Sequence, residues 1–220
     1  MKYVSLNHNS SPTSFKKAVI NGLAPDKGLY FPEKKINLTK DFINAIKDLD
    51  DIEICYEVIK EYIGDEIPKN KLIKIINDTV SFRIPLKKIE KSIYSLELFH
   101  GPTLAFKDIG AKFMASCLDY FKDSYTSKKI TVLVATSGDT GGAVANGFSD
   151  TSDIDVCILY PKGKISEVQK KQITTNGSYV NAIEVEGDFD LCQSMVKKAF
   201  NDEEINRKIA LTSANSINVA

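Results

Sequence analysis

Residues 130–148 read ITVLVATSGDTGGAVANGF, an apolar run, a glycine-rich loop and a second apolar segment in direct succession. Its first six residues, Ile130 to Ala135, form a short apolar run rich in β-branched side chains, the composition of a strand buried on both faces. Gly138, Gly141 and Gly142 then punctuate a loop, and the chain continues as a helix through Phe148. A buried strand, a glycine-rich turn and a helix make the opening of a βαβ unit, whose next strand lies parallel to the first.

Working outward, the same alternation repeats. On the amino-terminal side IYSLELF (93–99) reads as a strand and DIGAKFMASCLDYF (108–121) as a helix with Ile109, Phe113, Cys117 and Phe121 on one face. On the carboxyl-terminal side the order is strand DIDVCILY (153–160), a helix from about Ser166 to Thr175, strand YVNAIEVE (179–186) and helix DLCQSMVKKAF (190–200). The expectation is an α/β fold with a mostly parallel sheet and helices on both faces.

Upstream of about residue 90 the pattern is helical, with little strand signal. Thr13 or Ser14 caps a helix SFKKAVINGL, and LAPDKGLYFP (23–32) reads as a turn because Pro25, Gly28 and Pro32 interrupt it. Thr39 with Asp41 opens a second helix. Ile52, Cys55, Tyr56, Ile59 and Ile63 form one apolar stripe closed by Gly64, and Pro68 begins a helix to about Asp78. Residues 1–90 are therefore expected to form a small mainly helical domain, and 91–220 a partial α/β domain. The end, TSANSINVA (212–220), stops where a loop leads towards another helix, so the chain reads as truncated.

Bulk composition narrows the function classes. Lys and Arg together number 29, as do Asp and Glu, so the net charge of zero gives no reason to expect a nucleic-acid partner. The run Ile130–Ala135 is far too short to span a bilayer, and MKYVSLNHNSS lacks the apolar core of a signal peptide. Cys55, Cys117, Cys157 and Cys192 are scattered among apolar neighbours without a CxxC pair, which suits free buried thiols in a reducing compartment and a cytoplasmic protein. With His8 and His100 the only histidines, a histidine-built zinc site is not expected.

Chemistry must then come from other groups. Lys107 stands at a strand-to-helix junction, with Leu104, Ala105 and Phe106 before it and Ile109 and Phe113 after. An amine held among apolar groups loses hydration of its charged form and becomes a better nucleophile for an aldehyde. A lysine reaching to solvent is the competing reading of the same residues. The loop ATSGDTGG (135–142) offers backbone N–H groups at a helix start, hydroxyls from Thr136, Ser137 and Thr140, and glycines that admit a ligand to the backbone. It suits a carboxylate or phosphate; the alternative is a plain capped helix with Asp139 or Thr140 as the cap. YPKGKIS (160–166) brings Lys162 and Lys164 to a third strand end, either to meet an anion or as a solvated turn. TSANSIN (212–218) offers Ser213, Asn215, Ser216 and Asn218 as hydrogen-bonding groups, or a turn-rich loop. All four segments lie at carboxyl ends of expected strands or just beyond them, where open α/β sheets place their ligands.

Taken in order, SFKKAVINGLAPDKGLYFPE (14–33), EYIGDEIP (61–68), LELFHGPTLAFKD (96–108), ATSGDTGGAVA (135–145), ILYPKGKIS (158–166), EGDFD (186–190) and SANSIN (213–218) resemble the threonine synthases, in the longer form with an N-terminal helical domain. The resemblance covers nearly the whole chain. It implies a tryptophan-synthase-β-like fold, pyridoxal 5'-phosphate as cofactor, and conversion of O-phospho-L-homoserine and water to L-threonine and phosphate. It implies Lys107 as the lysine that holds the cofactor as a Schiff base and then moves protons, with Phe106 near the cofactor ring and Asp139 facing it. Thr136, Ser137, Gly138, Asp139 and Thr140 would hold the substrate carboxylate; Ser213, Asn215 and Lys162 or Lys164 would hold its phosphate. Members of the family run to roughly twice this length, and their second half supplies a glycine-rich loop for the cofactor phosphate and the group that meets the pyridine nitrogen. Two other readings remain at this stage: a related pyridoxal-phosphate phospholyase or dehydratase, and an inactive or partner-dependent fragment.

Overall fold

The computed structural model describes residues 1–124, 128–215 and 218. The chain divides into two compact units, the first built on Met1–Asp78 and the second on Thr79–Asn215.

In the first unit, β1 (Tyr3–Ser5) pairs antiparallel with β2 (Tyr30–Pro32), and four helices follow the same stretch of chain: α1 (Phe15–Asn21), α2 (Lys40–Ala45), α3 (Asp51–Ile63) and α4 (Lys69–Thr79). The stretch expected as a turn at 23–32 thus ends in a strand. Tyr3, Ser5 and Tyr30 all lie inside, and a three-residue strand between Gly28 and Pro32 is too short to show a period. Ser14 caps α1, Thr39 caps α2 and Gly64 closes α3, as the sequence indicates. Asp50 and Glu53 complete a reciprocal capping box at the start of α3. The Glu66 carboxylate adds to the capping of α1, accepting from the N–H groups of Phe15 (2.8 Å) and Lys16 (3.1 Å). Tyr3, Phe15, Ile20, Ile63, Leu72 and Ile76 are at most 1% exposed and form the centre of this unit. Each such side chain stabilises by about 1.5–3 kcal/mol through removal from water. Of the expected α3 stripe only Ile63 is buried; Ile52, Cys55, Tyr56 and Ile59 are half-buried.

Asp26 ties the loops of this unit together. Its carboxylate accepts from Ser5 Oγ (2.6 Å), Asn9 N (2.8 Å) and Gly28 N (3.0 Å). These bonds, the Ser5 hydroxyl foremost, hold its carboxyl below the usual aspartate range.

The second unit opens with an antiparallel hairpin, β3 (Leu86–Glu90) and β4 (Ile93–Leu96), so IYSLELF does not join the parallel sheet. Then come α5 (Lys107–Phe121), β5 (Ile130–Ala135), α6 (Asp139–Gly147), β6 (Ile154–Pro161), α7 (Glu167–Thr174), β7 (Val180–Val185), α8 (Phe189–Asn201), α9 (Glu203–Lys208) and β8 (Ala210–Thr212). The four last strands form one parallel sheet in the order β7-β6-β5-β8. Sequence patterning did not reveal α9 and β8, which have six and three residues.

Helices cover both faces, and the alternation along β5 shows why. Leu133 and Ala135 point to one face, where Leu159, Val185, Cys192, Val196 and Leu211 pack with them under α8. Val132 and Val134 therefore point to the other. They are fully buried, as are Val156 and Ile158 on the neighbouring strand, and α6 lies against β6 as α7 lies against β7. A strand apolar on both sides requires this double cover.

The strand order carries a functional consequence. From β5 the chain steps outward to β6 and β7, then returns to the opposite side of β5 as β8. The order reverses at the β5–β8 boundary, and the loops leaving the carboxyl ends of those strands, at 136–138 and 213–215, flank that point.

Candidate active site

The loop after β5 is closed by one hydroxyl. Thr136 is 1% exposed, and its Oγ1 accepts from Gly141 N (2.8 Å) and Gly138 N (3.0 Å) while donating to Gly138 O (3.1 Å). The Thr136 N–H continues the sheet by donating to Leu159 O at 2.9 Å. Gly138, at φ 140°, is the N-cap of α6 and provides no side-chain cap, so neither Asp139 nor Thr140 fills that role. Asp139 and Thr140 are instead the first two helical residues. Among the described residues their N–H groups have no hydrogen-bond partner, which leaves two donors and the positive end of the helix for an anion. Ser137 and Asp139 are exposed and Thr140 is half-buried beside them.

The glycines of this loop face a protein neighbour on the side where a Cβ would stand. A Cβ on Gly138 would meet the Gln169 amide at 2.3–2.7 Å, on Gly141 Ile173 Cδ1 at 2.8 Å, and on Gly142 Gln172 Oε1 at 3.0 Å. The small residues read in the sequence as room for a ligand are therefore also the seat of α7.

Lys107 is the first residue of α5 and is half-buried. The turn before it is shaped by Asp108, 4% exposed, whose carboxylate accepts from Thr103 N (3.0 Å) and Thr103 Oγ1 (2.5 Å). Gly101 is obligatory at the base of that turn, because a Cβ there would lie 2.5 Å from Asp108 Oδ2 and 2.8 Å from the Phe82 ring. Leu104 sits at φ 60°, a conformation that costs a non-glycine residue about 1–3 kcal/mol. The expected apolar wall around the amine is only partly present: Ala105 is buried, but Leu104 and Phe106 are 73% and 62% exposed. Lys107 Nζ lies 5.3 Å from the Phe106 ring centroid, within cation–π range.

The remaining expected residues fall as follows. Ser213 is fully buried, and its Oγ is the one buried side-chain polar atom among the described residues without a hydrogen-bond partner. Ser213 follows directly after Thr212, the last residue of β8 paired with β5. A buried orphan hydroxyl costs about 1–3 kcal/mol, which a ligand accepting or donating there would recover. Asn215 is half-buried just beyond. Ser216 lies outside the described residues, and Asn218 donates to Val19 O at 2.7 Å in the first unit. Lys164 is exposed, whereas Lys162 is paired with Glu186 at 2.6 Å, so Lys164 is the more available of the two cations.

Three residues were not singled out from the sequence: Asp108, Gln169 and Gln172. Gln169 does carry a legible signal, since Ser166 and Gln169 have capping-box spacing and form that box at the start of α7. Its second bond, from Nε2 to Asp139 Oδ1 at 2.8 Å, has no local signature.

No helix among the described residues is long and apolar enough to cross a membrane. Against known families, residues 2–80 match the model of the threonine synthase N terminus, and residues 80–220 that of pyridoxal-phosphate dependent enzymes. Threonine synthase of Haemophilus influenzae is 44% identical over the whole chain, and that of Escherichia coli 41%. In both cases the chain spans 51% of the relative, about half its length. The crystal structure of threonine synthase from Escherichia coli matches with a TM-score of 0.90 at 42% identity, covering 100% of this chain and 50% of that one. A structure of pyridoxal-phosphate-bound threonine synthase from Brucella melitensis matches at 0.91 and 38% identity, over 99% of this chain and 48% of that one. The fold expected from the sequence is thus the fold of these enzymes, and the chain belongs to the family of pyridoxal-phosphate-dependent enzymes.

Proposed function

We propose that this chain carries the lysine and the substrate-carboxylate loop of a threonine synthase, which converts O-phospho-L-homoserine and water to L-threonine and phosphate. The observation that carries the reading is the pair of loops at the β5–β8 boundary, one with two unpartnered N–H donors and the other with the buried orphan hydroxyl of Ser213. Both are anion-binding features at the place where an open α/β sheet binds ligands, and the substrate bears two anionic groups, a carboxylate and a phosphate.

The residues present fit the cofactor's chemistry. Pyridoxal phosphate, when bound, supplies an electron sink for carbanions next to its imine carbon. Lys107 would hold the cofactor through its amine, and the same amine would move protons at the substrate carbons. Phe106 offers an apolar ring against the cofactor, and Asp139 a carboxylate facing it. Thr136, Ser137, Gly138, Asp139 and Thr140 form the substrate-carboxylate loop, the carboxylate lying at the Asp139 and Thr140 N–H groups and the Ser137 hydroxyl. Ser213 and Asn215 hold the substrate phosphate, with Lys164 supplying positive charge. The reading also places the protein in the cytoplasm, in keeping with four cysteines that carry free thiols.

Product analysis with O-phospho-L-homoserine tests the reading. Equal release of threonine and inorganic phosphate is expected. Release of phosphate with 2-oxobutanoate in place of threonine would assign the chain to a phospholyase instead.

A further inference from the structure

Helix α7 touches both candidate active-site segments through one face. Gln169 and Gln172 are three residues apart and share that face with Ile173. Gln169 makes three bonds at once. Its own N–H donates to Ser166 Oγ (3.2 Å), its Oε1 accepts from Ser166 N (3.0 Å), and its Nε2 donates to Asp139 Oδ1 (2.8 Å). Because Oε1 is engaged by an N–H, the amide can present only its donor to Asp139. Gln172 Nε2 donates to Thr103 O at 3.2 Å, and Thr103 is the residue clamped by Asp108, next to Lys107. The amides of both glutamines also stand over glycines of the loop, Gln169 over Gly138 and Gln172 over Gly142.

We propose that Gln169 and Gln172 are positioning residues, and that α7 braces the Lys107 turn and the 136–142 loop at their openings, beyond the direct packing of α5 on α6. The two segments open α5 and α6, and these helices pack directly on each other, with Gly147 against Ala111. That packing spaces the helix bodies, and α7 adds side-chain bonds to both openings, at Asp139 and at Thr103. That the two segments form a single pocket rests on the proposed function; the bonding to α7 does not.

The decisive variant is Gln169→Glu. Glutamate at this position keeps the capping box, since Ser-x-x-Glu is its commonest form, but it replaces the donor facing Asp139 with a second carboxylate. A cap-only role for Gln169 would leave this variant indistinguishable from wild type. The expected result is an unchanged far-UV spectrum and unfolding midpoint, with amide-exchange protection at 136–142 reduced at least tenfold at neutral pH. Unchanged protection in a folded Gln169→Glu protein overturns the proposal. Should that variant unfold early, Gln172→Ala decides: exchange at 101–108 should rise, and no change there overturns it equally. The functional reading is scored separately, by borohydride fixation of pyridoxal phosphate on wild-type Lys107. Failure of that labelling sinks the reading and leaves the exchange result standing; labelling with unmoved exchange sinks only the role of α7.

Discussion

At 136–142 the chain closes on itself through a hydroxyl, whereas at 101–107 it closes only at its base, through a carboxylate, and leaves its crest in solvent. Thr136 engages both the N–H and the C=O of Gly138 and the N–H of Gly141 while itself buried. Asp108 fixes Thr103 equally firmly, but Leu104 and Phe106 beyond it remain largely exposed, and Leu104 holds a left-handed conformation. The 136–142 loop is thus preorganised by its own segment, whereas the turn before Lys107 has a set backbone and an apolar wall that is only partly present.

The largest expected effect is on activity. Lys107→Ala should lower threonine formation by about 10³-fold or more while shifting stability by under about 1 kcal/mol. A loss below tenfold would remove Lys107 from its assigned role. Next, Gly138→Ala should destabilise by about 3 kcal/mol in urea unfolding, since it combines a forbidden backbone angle with a collision at Gln169. Thr136→Val keeps the shape and removes the hydroxyl; a loss of about 2 kcal/mol is expected, because it strands the Gly138 N–H in the interior. Phe106→Ala, by contrast, should cost less than about 0.5 kcal/mol, as an exposed ring has little burial to lose.

The Asp26 loop differs from the 136–142 loop in its response to pH. The bonds from Ser5, Gly28 and Asn9 lower the folded-state pKa of Asp26, so their stabilisation is complete above the unfolded value near 4 and disappears as the pH falls through the folded one. Amide protection of Asn9 and Gly28 should therefore drop on acidification into that range. That of Gly138 and Gly141, held by a hydroxyl that does not titrate, should persist. Parallel loss at both loops would mean that global unfolding, not the Asp26 carboxylate, governs the acid response.

Much of this architecture is legible in the sequence because it rests on local signals. The run Ile130–Ala135 marks a doubly covered strand, and Ser14, Thr39, Gly64 and Ser166 mark helix ends that the structure places there or one residue away. The strands β1, β2 and β8 escape because three residues cannot display a period, and their pairing is decided by partners distant in sequence. For the same reason the site was legible as separate segments but not as an assembly. The glycines of 138–142 look from sequence like space for a ligand, and only the fold shows α7 occupying the Cβ side. Lys107 reads as surrounded by apolar residues, yet sequence neighbours on a strained turn point outward as readily as inward.

Whether Lys107 is the cofactor-bearing amine is decided by the absorbance of the purified chain with pyridoxal phosphate before and after borohydride, followed by peptide mapping. The expected result is a cofactor-linked band abolished by reduction, with the fixed label on the peptide containing Lys107. No band, or label spread over the surface lysines with none favoured at Lys107, would contradict it.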